Sequence, residues 1–201
     1  MELTFRSCLL DEQTGKLQLK TQRPDVFDVF GLKHAYSYDP DLLEERYLEL
    51  SKLTHPDHHR VADEESKQRT IKISAWVNQS YKELKDSLFR AEFLLNMIEK
   101  DNGLKTDSKK LPGTFLMDML ELQEELEILA VKLDESRLEE IEYQAEKFRK
   151  RSLKEVGEGL DLCLSRSTID ADFMQELRSQ LNTVRYYDRI LGTVEELLDK
   201  I

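Results

Sequence analysis

Asp39-Pro40-Asp41-Leu42-Leu43-Glu44-Glu45-Arg46-Tyr47-Leu48-Glu49-Leu50-Ser51-Lys52-Leu53-Thr54-His55-Pro56-Asp57 is the stretch whose reading decides the fold. It holds a helix start, a helix body and a helix stop. Asp39 can cap, because its carboxylate accepts from the first free backbone N–H groups, and Pro40 suits the first helical position, where no donor is needed. Leu43, Tyr47 and Leu50 recur at the spacing of one helical face. Pro56 disfavours helical geometry at His55, so the helix ends near Thr54. Residues 55–62 then read as a polar loop. A long helix follows from about Asp63, with Ile73, Trp76, Val77, Tyr81 and Leu84 on its inner side.

Working outward, Val26, Phe27 and Phe30 make a short amphipathic turn that stops at Gly31. Residues 1–23 form an extension compatible with a small β-hairpin, since Lys16–Lys20 alternates and the connection before it ends in Gly15. Beyond Asp86-Ser87, Leu88, Ala91, Leu94, Leu95 and Ile98 mark another helix that ends at Asn102-Gly103. Residues 101–113 are polar, close with Pro112-Gly113, and read as a linker. Three helices are expected after it. Phe115, Met119, Leu122, Leu126, Leu129 and Leu133 form the first seam. Asp134 can cap the second, which carries Leu138, Ile141, Ala145, Phe148, Leu153, Val156, Leu160 and Cys163. Gly157 and Gly159 weaken it by about 1 kcal/mol each relative to Ala, which allows a bend. The third carries Phe173, Leu177, Val184, Tyr187, Leu191, Val194 and Leu198. Three such seams can bury one another. The expected organisation is all-α: extension 1–23, N-terminal helical domain 24–100, linker 101–113 and C-terminal three-helix bundle 114–201.

Composition agrees with this reading. Charged residues make up 35% of the 201 and hydrophobic ones 39%, as for helices with solvated outer faces, while 7 Gly and 4 Pro are too few for a turn-rich β fold. A net charge of −11 repels phosphate backbones and argues against nucleic-acid binding. Cys8 and Cys163 are the only cysteines. They suggest neither a disulfide framework nor a zinc knuckle, and Cys163 reads as a small buried hydrophobe. No stretch reaches the ~20 apolar residues of a membrane span, and Met1–Arg6 lacks a secretion-signal pattern. The expectation is a cytoplasmic protein with no membrane partner. There is no Gly-rich phosphate loop and no nucleophile–base pair, so no enzyme and no cofactor are expected.

Two features could carry function. His55-Pro56-Asp57 sits in a loop between two helices, where Pro56 stiffens the backbone and Asp57 can accept charge-assisted hydrogen bonds from a partner's arginine. His55, Asp57, His58 and His59 are also potential zinc ligands. Adjacent His58 and His59 cannot easily join His55 on one ion past Pro56, so no metal site is expected. The second feature is the helix from Phe115. At about 100° per residue its seam occupies one side, while Met117, Leu120, Ile128 and Val131 gather opposite with Glu121 and Glu124 among them. This second face either packs on the N-terminal domain or forms a partner site rimmed by carboxylates.

The tripeptide in its helical setting, followed by Asn78-Gln79-Ser80-Tyr81-Lys82-Glu83-Leu84, resembles the J domain of Hsp70 co-chaperones. Arg90-Ala91-Glu92-Phe93-Leu94-Leu95, the run Phe115–Leu126 and Val184-Arg185-Tyr186-Tyr187-Asp188-Arg189-Ile190 narrow the resemblance to the HscB/Hsc20 family, from about Pro24 to the C-terminus. The resemblance implies a co-chaperone that engages a specialised HscA-like Hsp70, or a general one, through the J domain. It also implies an IscU-like iron–sulfur scaffold held on the C-terminal domain, in the bacterial cytoplasm or, as second choice, the mitochondrial matrix. It implies Hsp70 contacts at His55, Pro56 and Asp57, with Lys52, Arg60 and Arg69 supplying positive charge. It implies scaffold contacts at Leu116, Met117, Leu120, Glu121, Glu124 and Tyr186. Tyr186 lies one step off the Val184/Tyr187/Leu191 seam and is expected near the surface.

The chain departs from the family in one respect. Glu44, Glu45 and Glu49 outnumber Arg46 and Lys52 on a helix that is usually basic, and His58 stands where Lys is common. The rival readings are a general J protein delivering other clients, and a helical adaptor with no Hsp70 role. The missing Gly/Phe-rich region opposes the first and the intact tripeptide opposes the second.

Overall fold

The computed structural model describes residues 25–55, 64–113, 115–166 and 168–201. Those residues form seven helices: α1 (Val26–Val29), α2 (Pro40–Leu53), α3 (Glu64–Lys85), α4 (Ser87–Asp101), α5 (Phe115–Lys132), α6 (Glu135–Ser165) and α7 (Ala171–Leu198). The chain divides into two compact units between Arg90 and Ala91, within α4. The hairpin expected in residues 1–23 lies outside the described residues.

Four helix starts have a clear chemical cause. Asp39 accepts from the backbone N–H of Asp41 at 3.0 Å and Leu42 at 3.4 Å, and Pro40 opens α2. Asp86 accepts from Leu88 and Phe89, Asp134 from Arg137, and Asp170 from Asp172 and Phe173. Gly31 ends the first turn with φ +57, a backbone region that costs glycine little.

In the first unit Phe27, Val29 and Phe30 of the first turn pack with Leu43 and Leu50 of α2 and with Ile73, Val77 and Leu84 of α3, all nearly fully buried. Arg90 fastens the connection before α2. Its guanidinium lies over the rings of Tyr36 and Tyr38, at 4.7 and 4.6 Å from their centroids. It also donates to the carbonyls of Tyr36 and Leu84. A buried cation is tolerable there because aromatic faces and carbonyls replace its hydration.

The second unit joins α5, α6 and α7 with the α4 residues from Ala91 onward. The helix α6 runs unbroken through Gly157 and Gly159. Gly159 has a packing reason: a Cβ there would meet Leu177 Cδ2 at 2.5 Å. The chain between α4 and α5 is pinned to α7. Arg178 donates to Glu99 and Asn96 at 2.7 Å and to Thr106 at 3.1 Å, and Asn182 donates to the Lys110 carbonyl at 3.0 Å. Arg185 holds Glu92 at 2.6 Å.

The inner stripe of α7 is broader than one seam. Met174, Leu181, Ile190 and Leu197 are buried, whereas Phe173, Leu191 and Leu198 are only half-buried. Phe148 of α6, expected inside, is 42% exposed and lies flat against Tyr187 with centroids 5.5 Å apart. Cys163 is buried with its Sγ 3.8 Å from Met174 Sδ, and burial pushes its thiol pKa up. No helix among the described residues is long and apolar enough to cross a membrane.

Candidate functional site

The end of α2 is built for abrupt termination. Thr54 is buried, and both its backbone N–H and its hydroxyl donate to the Leu50 carbonyl, at 2.9 and 2.8 Å. His55 follows, exposed, with its backbone N–H 3.4 Å from the Lys52 carbonyl. Lys52 is exposed in the last turn of α2. Pro56, Asp57, His58, His59 and Arg60 lie outside the described residues. Arg69, on α3, is exposed and paired with Glu65 one turn back.

Polar contacts hold α2 against α3. Tyr47 and Tyr81 stack with centroids 3.9 Å apart and planes 14° apart. Tyr47 donates to Asn78 Oδ1 at 3.0 Å, and Tyr81 donates to Glu44. The Glu44 bond raises the Tyr81 pKa, because ionising the phenol would break it. Arg46 donates to the carbonyls of Phe30 and Gly31 at 2.6 and 2.7 Å. Glu44, though exposed, and Arg46 therefore serve the fold, and Asp41, Glu45, Glu49 and Lys52 remain as the other exposed charges of α2. That division was not legible from the charge count alone.

The second region is the outer face of α5. Phe115, Met119, Leu126 and Leu129 are buried, which turns Leu116, Met117 and Leu120 outward at 55%, 67% and 56% exposure. Glu121 and Glu124 are exposed beside them. Glu125, in contrast, is held by Arg137 of α6 through two hydrogen bonds of 2.5 and 3.0 Å. Those bonds keep its carboxyl below the usual range. Arg137 also grips Glu140 at 2.6 Å.

Tyr186 is less exposed than its register suggested. It is half-buried, with its ring edge-on to Phe115 at 5.6 Å and the Arg189 guanidinium over it at 4.1 Å. It borders a cleft of about 340 Å³ between α5 and α7, where Gln123, Glu127, Arg189 and Thr193 supply polar groups. The packing of Phe115 thus sets Tyr186 at the margin of the exposed α5 face. Chemically this face offers apolar contact and negative charge and holds no nucleophile or base pair.

Among the described residues, Asp25, Asp28 and His34 bring possible metal-ligand atoms within 4.8 Å of one another. Asp25 is already committed. One oxygen caps the first turn by accepting from Phe27 and Asp28, and the other lies 2.7 Å from His34 Nε2. The grouping therefore reads as a cap and latch.

Known proteins share this architecture. A family model described as the HSCB C-terminal oligomerisation domain matches residues 111–195. The co-chaperone protein HscB homolog of Vibrio campbellii (strain ATCC BAA-1116) is 31% identical over 172 residues, covering 83% of this chain and 98% of that protein. The homolog of Aliivibrio salmonicida (strain LFI1238) is 28% identical over 177 residues, covering 87% and 97%. Among solved structures, chaperone HscB from Vibrio cholerae superimposes with a TM-score of 0.69 at 25% identity, over 88% of this chain and 99% of that one. Human co-chaperone protein HscB shares the fold with a TM-score of 0.74 at 23% identity, over 96% and 90%.

Proposed function

We propose, because this chain belongs to the HscB co-chaperone family, that it binds an iron–sulfur scaffold protein and delivers it to a specialised Hsp70, whose ATP hydrolysis it stimulates to promote cluster transfer. The protein makes and breaks no covalent bond itself. Its work is to bring two partners together and to bias one of them toward hydrolysis. On this reading it acts in the bacterial cytoplasm or, as second choice, the mitochondrial matrix.

One observation carries the scaffold half: Leu116, Met117 and Leu120 are exposed together beside Glu121 and Glu124, on a helix whose other side is fully used by the bundle. Large aliphatics grouped on a surface mark an interaction site, and the carboxylate rim selects the partner's charge. Tyr186 adds an aromatic edge of the kind that anchors interfaces. Aromatic stacking and the Glu44–Tyr81 and Tyr47–Asn78 bonds support the Hsp70 half, because they brace the two helices that flank the tripeptide in sequence. With acidic residues outnumbering basic ones on α2, the tripeptide, Lys52 and Arg60 carry more of this contact than usual in the family.

The test is the steady-state ATPase rate of an HscA-type Hsp70. Wild-type chain should raise it and Asp57→Ala should not, while an IscU-type scaffold should raise it further with wild type. Equal stimulation by wild type and Asp57→Ala would remove the J-domain role. A scaffold that adds nothing would favour a general J protein.

A further inference from the structure

A separate exposed surface lies on α6. Glu140, Tyr143, Gln144, Lys147, Phe148 and Arg151 recur at three- and four-residue spacing and so share one helix face. They line an open groove of about 440 Å³, and Gln144 and Phe148 also line a smaller cleft of about 210 Å³ beside α5. Tyr143 is 67% exposed. The exposed Phe148 ring is fixed by its stack on Tyr187 and by the Arg151 guanidinium 4.8 Å from its centroid. The charges of this face balance, unlike those of the chain. From Glu140 to Glu158 there are five carboxylates and five cations, in a protein of net charge −11. Their order is also symmetric. Glu140 and Arg151 are equally far from the point midway between Ala145 and Glu146. So are Tyr143 and Phe148, and so are Gln144 and Lys147.

We propose that this face is a self-association surface, on which a second copy of the chain seats its α6 antiparallel to the first, across a two-fold axis level with Ala145 and Glu146. Such an axis sets each position against the one equally far on its other side. Glu140 then meets Arg151 of the second copy, Gln144 meets Lys147 of the second copy, and each contact occurs twice. Bonds from Arg137 and Gln144 already hold the Glu140 carboxylate on this face. At about 100° per residue these four positions lie within about 30° of the face centre, and Tyr143 and Phe148 lie about 70° to either side. Each Tyr143 ring is thereby set beside Lys147 and Lys150 of the second copy, a cation–π arrangement. Each Phe148 is set beside Gln144 of the second copy. One like-charge meeting results, Arg137 with Lys154. It is blunted because Arg137 is held by Glu125 and Glu140, and Lys154 lies 3.8 Å from Glu158. A partner of one charge sign fits less well, since a balanced face repels it as much as it attracts it. A single helix face is small for an interface, so the dimer is weak and reversible.

The test is sedimentation equilibrium of the full-length chain at ~0.15 M salt. The average mass should rise toward that of a dimer between about 5 and about 500 µM. Glu140→Arg and Arg151→Glu, each alone, set like charges together twice and should weaken dimerisation about tenfold or more. Both substitutions in one chain restore opposite charges and should return it to within about threefold of wild type. Tyr143→Ser should also weaken it, without any change of charge. Circular dichroism should show wild-type helical content in all four variants. A wild-type chain that stays monomeric at about 500 µM would overturn the proposal. So would single charge variants that dimerise like wild type, or a folded double variant that does not recover. Dimerisation lost in Leu116→Ala/Leu120→Ala, with α6 unchanged, would move the contact to α5 and overturn the assignment to α6.

Discussion

The α2–α3 pair and the outer face of α5 use charge in opposite ways. In the helix pair charge is spent on the fold, Glu44 on Tyr81 and Arg46 on two carbonyls, and in the same unit Arg90 of α4 lies over two tyrosine rings. On α5, Glu121, Glu124 and Glu127 stand exposed among aliphatics, while Glu125, one step round the helix, is taken by Arg137. The difference teaches how to read an acidic surface. A charge count on α2 misses that Glu44 is held toward Tyr81 and Arg46 toward the Phe30 and Gly31 carbonyls, so both side chains are positioned by the fold. Counting carboxylates on α5 measures what a partner meets.

The largest expected effect breaks the α5 side. Alanine at Leu116, Met117, Leu120 and Tyr186 together should weaken scaffold binding about 100-fold, near 2.7 kcal/mol, as for the loss of an interface centre. Calorimetry reads the affinity, and circular dichroism should show unchanged helical content. Undiminished affinity in the folded variant would dismiss this face as the site.

Next comes the helix pair. Arg90→Met should destabilise the first unit by about 2 kcal/mol, because the carbonyls of Tyr36 and Leu84 lose a charged donor in a buried setting. Urea unfolding measures it. A change within experimental scatter would mean that the Arg90 contacts contribute nothing net to holding the connection. Tyr81→Phe sharpens the same point at lower cost. It removes the bond to Glu44 while keeping the ring stack, so about 1 kcal/mol or less is expected.

The smallest effect concerns pH. Glu125 has its carboxyl held below its ordinary value of 4.5 by Arg137. A depressed carboxylate contributes stability above its unfolded pKa and loses it as pH falls through the folded one. The Arg137→Met variant should therefore be less stable than wild type at neutral pH by about 0.5 kcal/mol, given solvent screening of a partly exposed pair. The gap should narrow as pH falls below the ordinary carboxylate range and the pair loses its negative partner. A gap that persists in acid would mean that Arg137 acts by packing alone.

Much of this was legible because its causes are local. Asp39-Pro40 and Asp134 act within one turn, so the starts of α2 and α6 follow from neighbours in sequence. The α5 face was legible for a related reason: one seam of a helix defines its opposite side. The inner stripe of α7 was not, because residues from three other helices of its unit press on it. That buries Met174, Leu181, Ile190 and Leu197 beyond any single periodic line. Arg178 and Arg185 read as surface charges until the fold brings them to Glu99 and Glu92, 79 and 93 residues away. Tyr186 was placed near the surface by register, but Phe115 and Arg189 cover part of its ring.

The central claim is that the two regions act on different partners. The most direct measurement is the HscA-type Hsp70 ATPase rate with the Leu116/Met117/Leu120/Tyr186 alanine variant, with and without IscU-type scaffold. The account predicts wild-type stimulation without scaffold and loss of the scaffold's added stimulation. Loss of the stimulation seen without scaffold, or full retention of the scaffold effect, would contradict it.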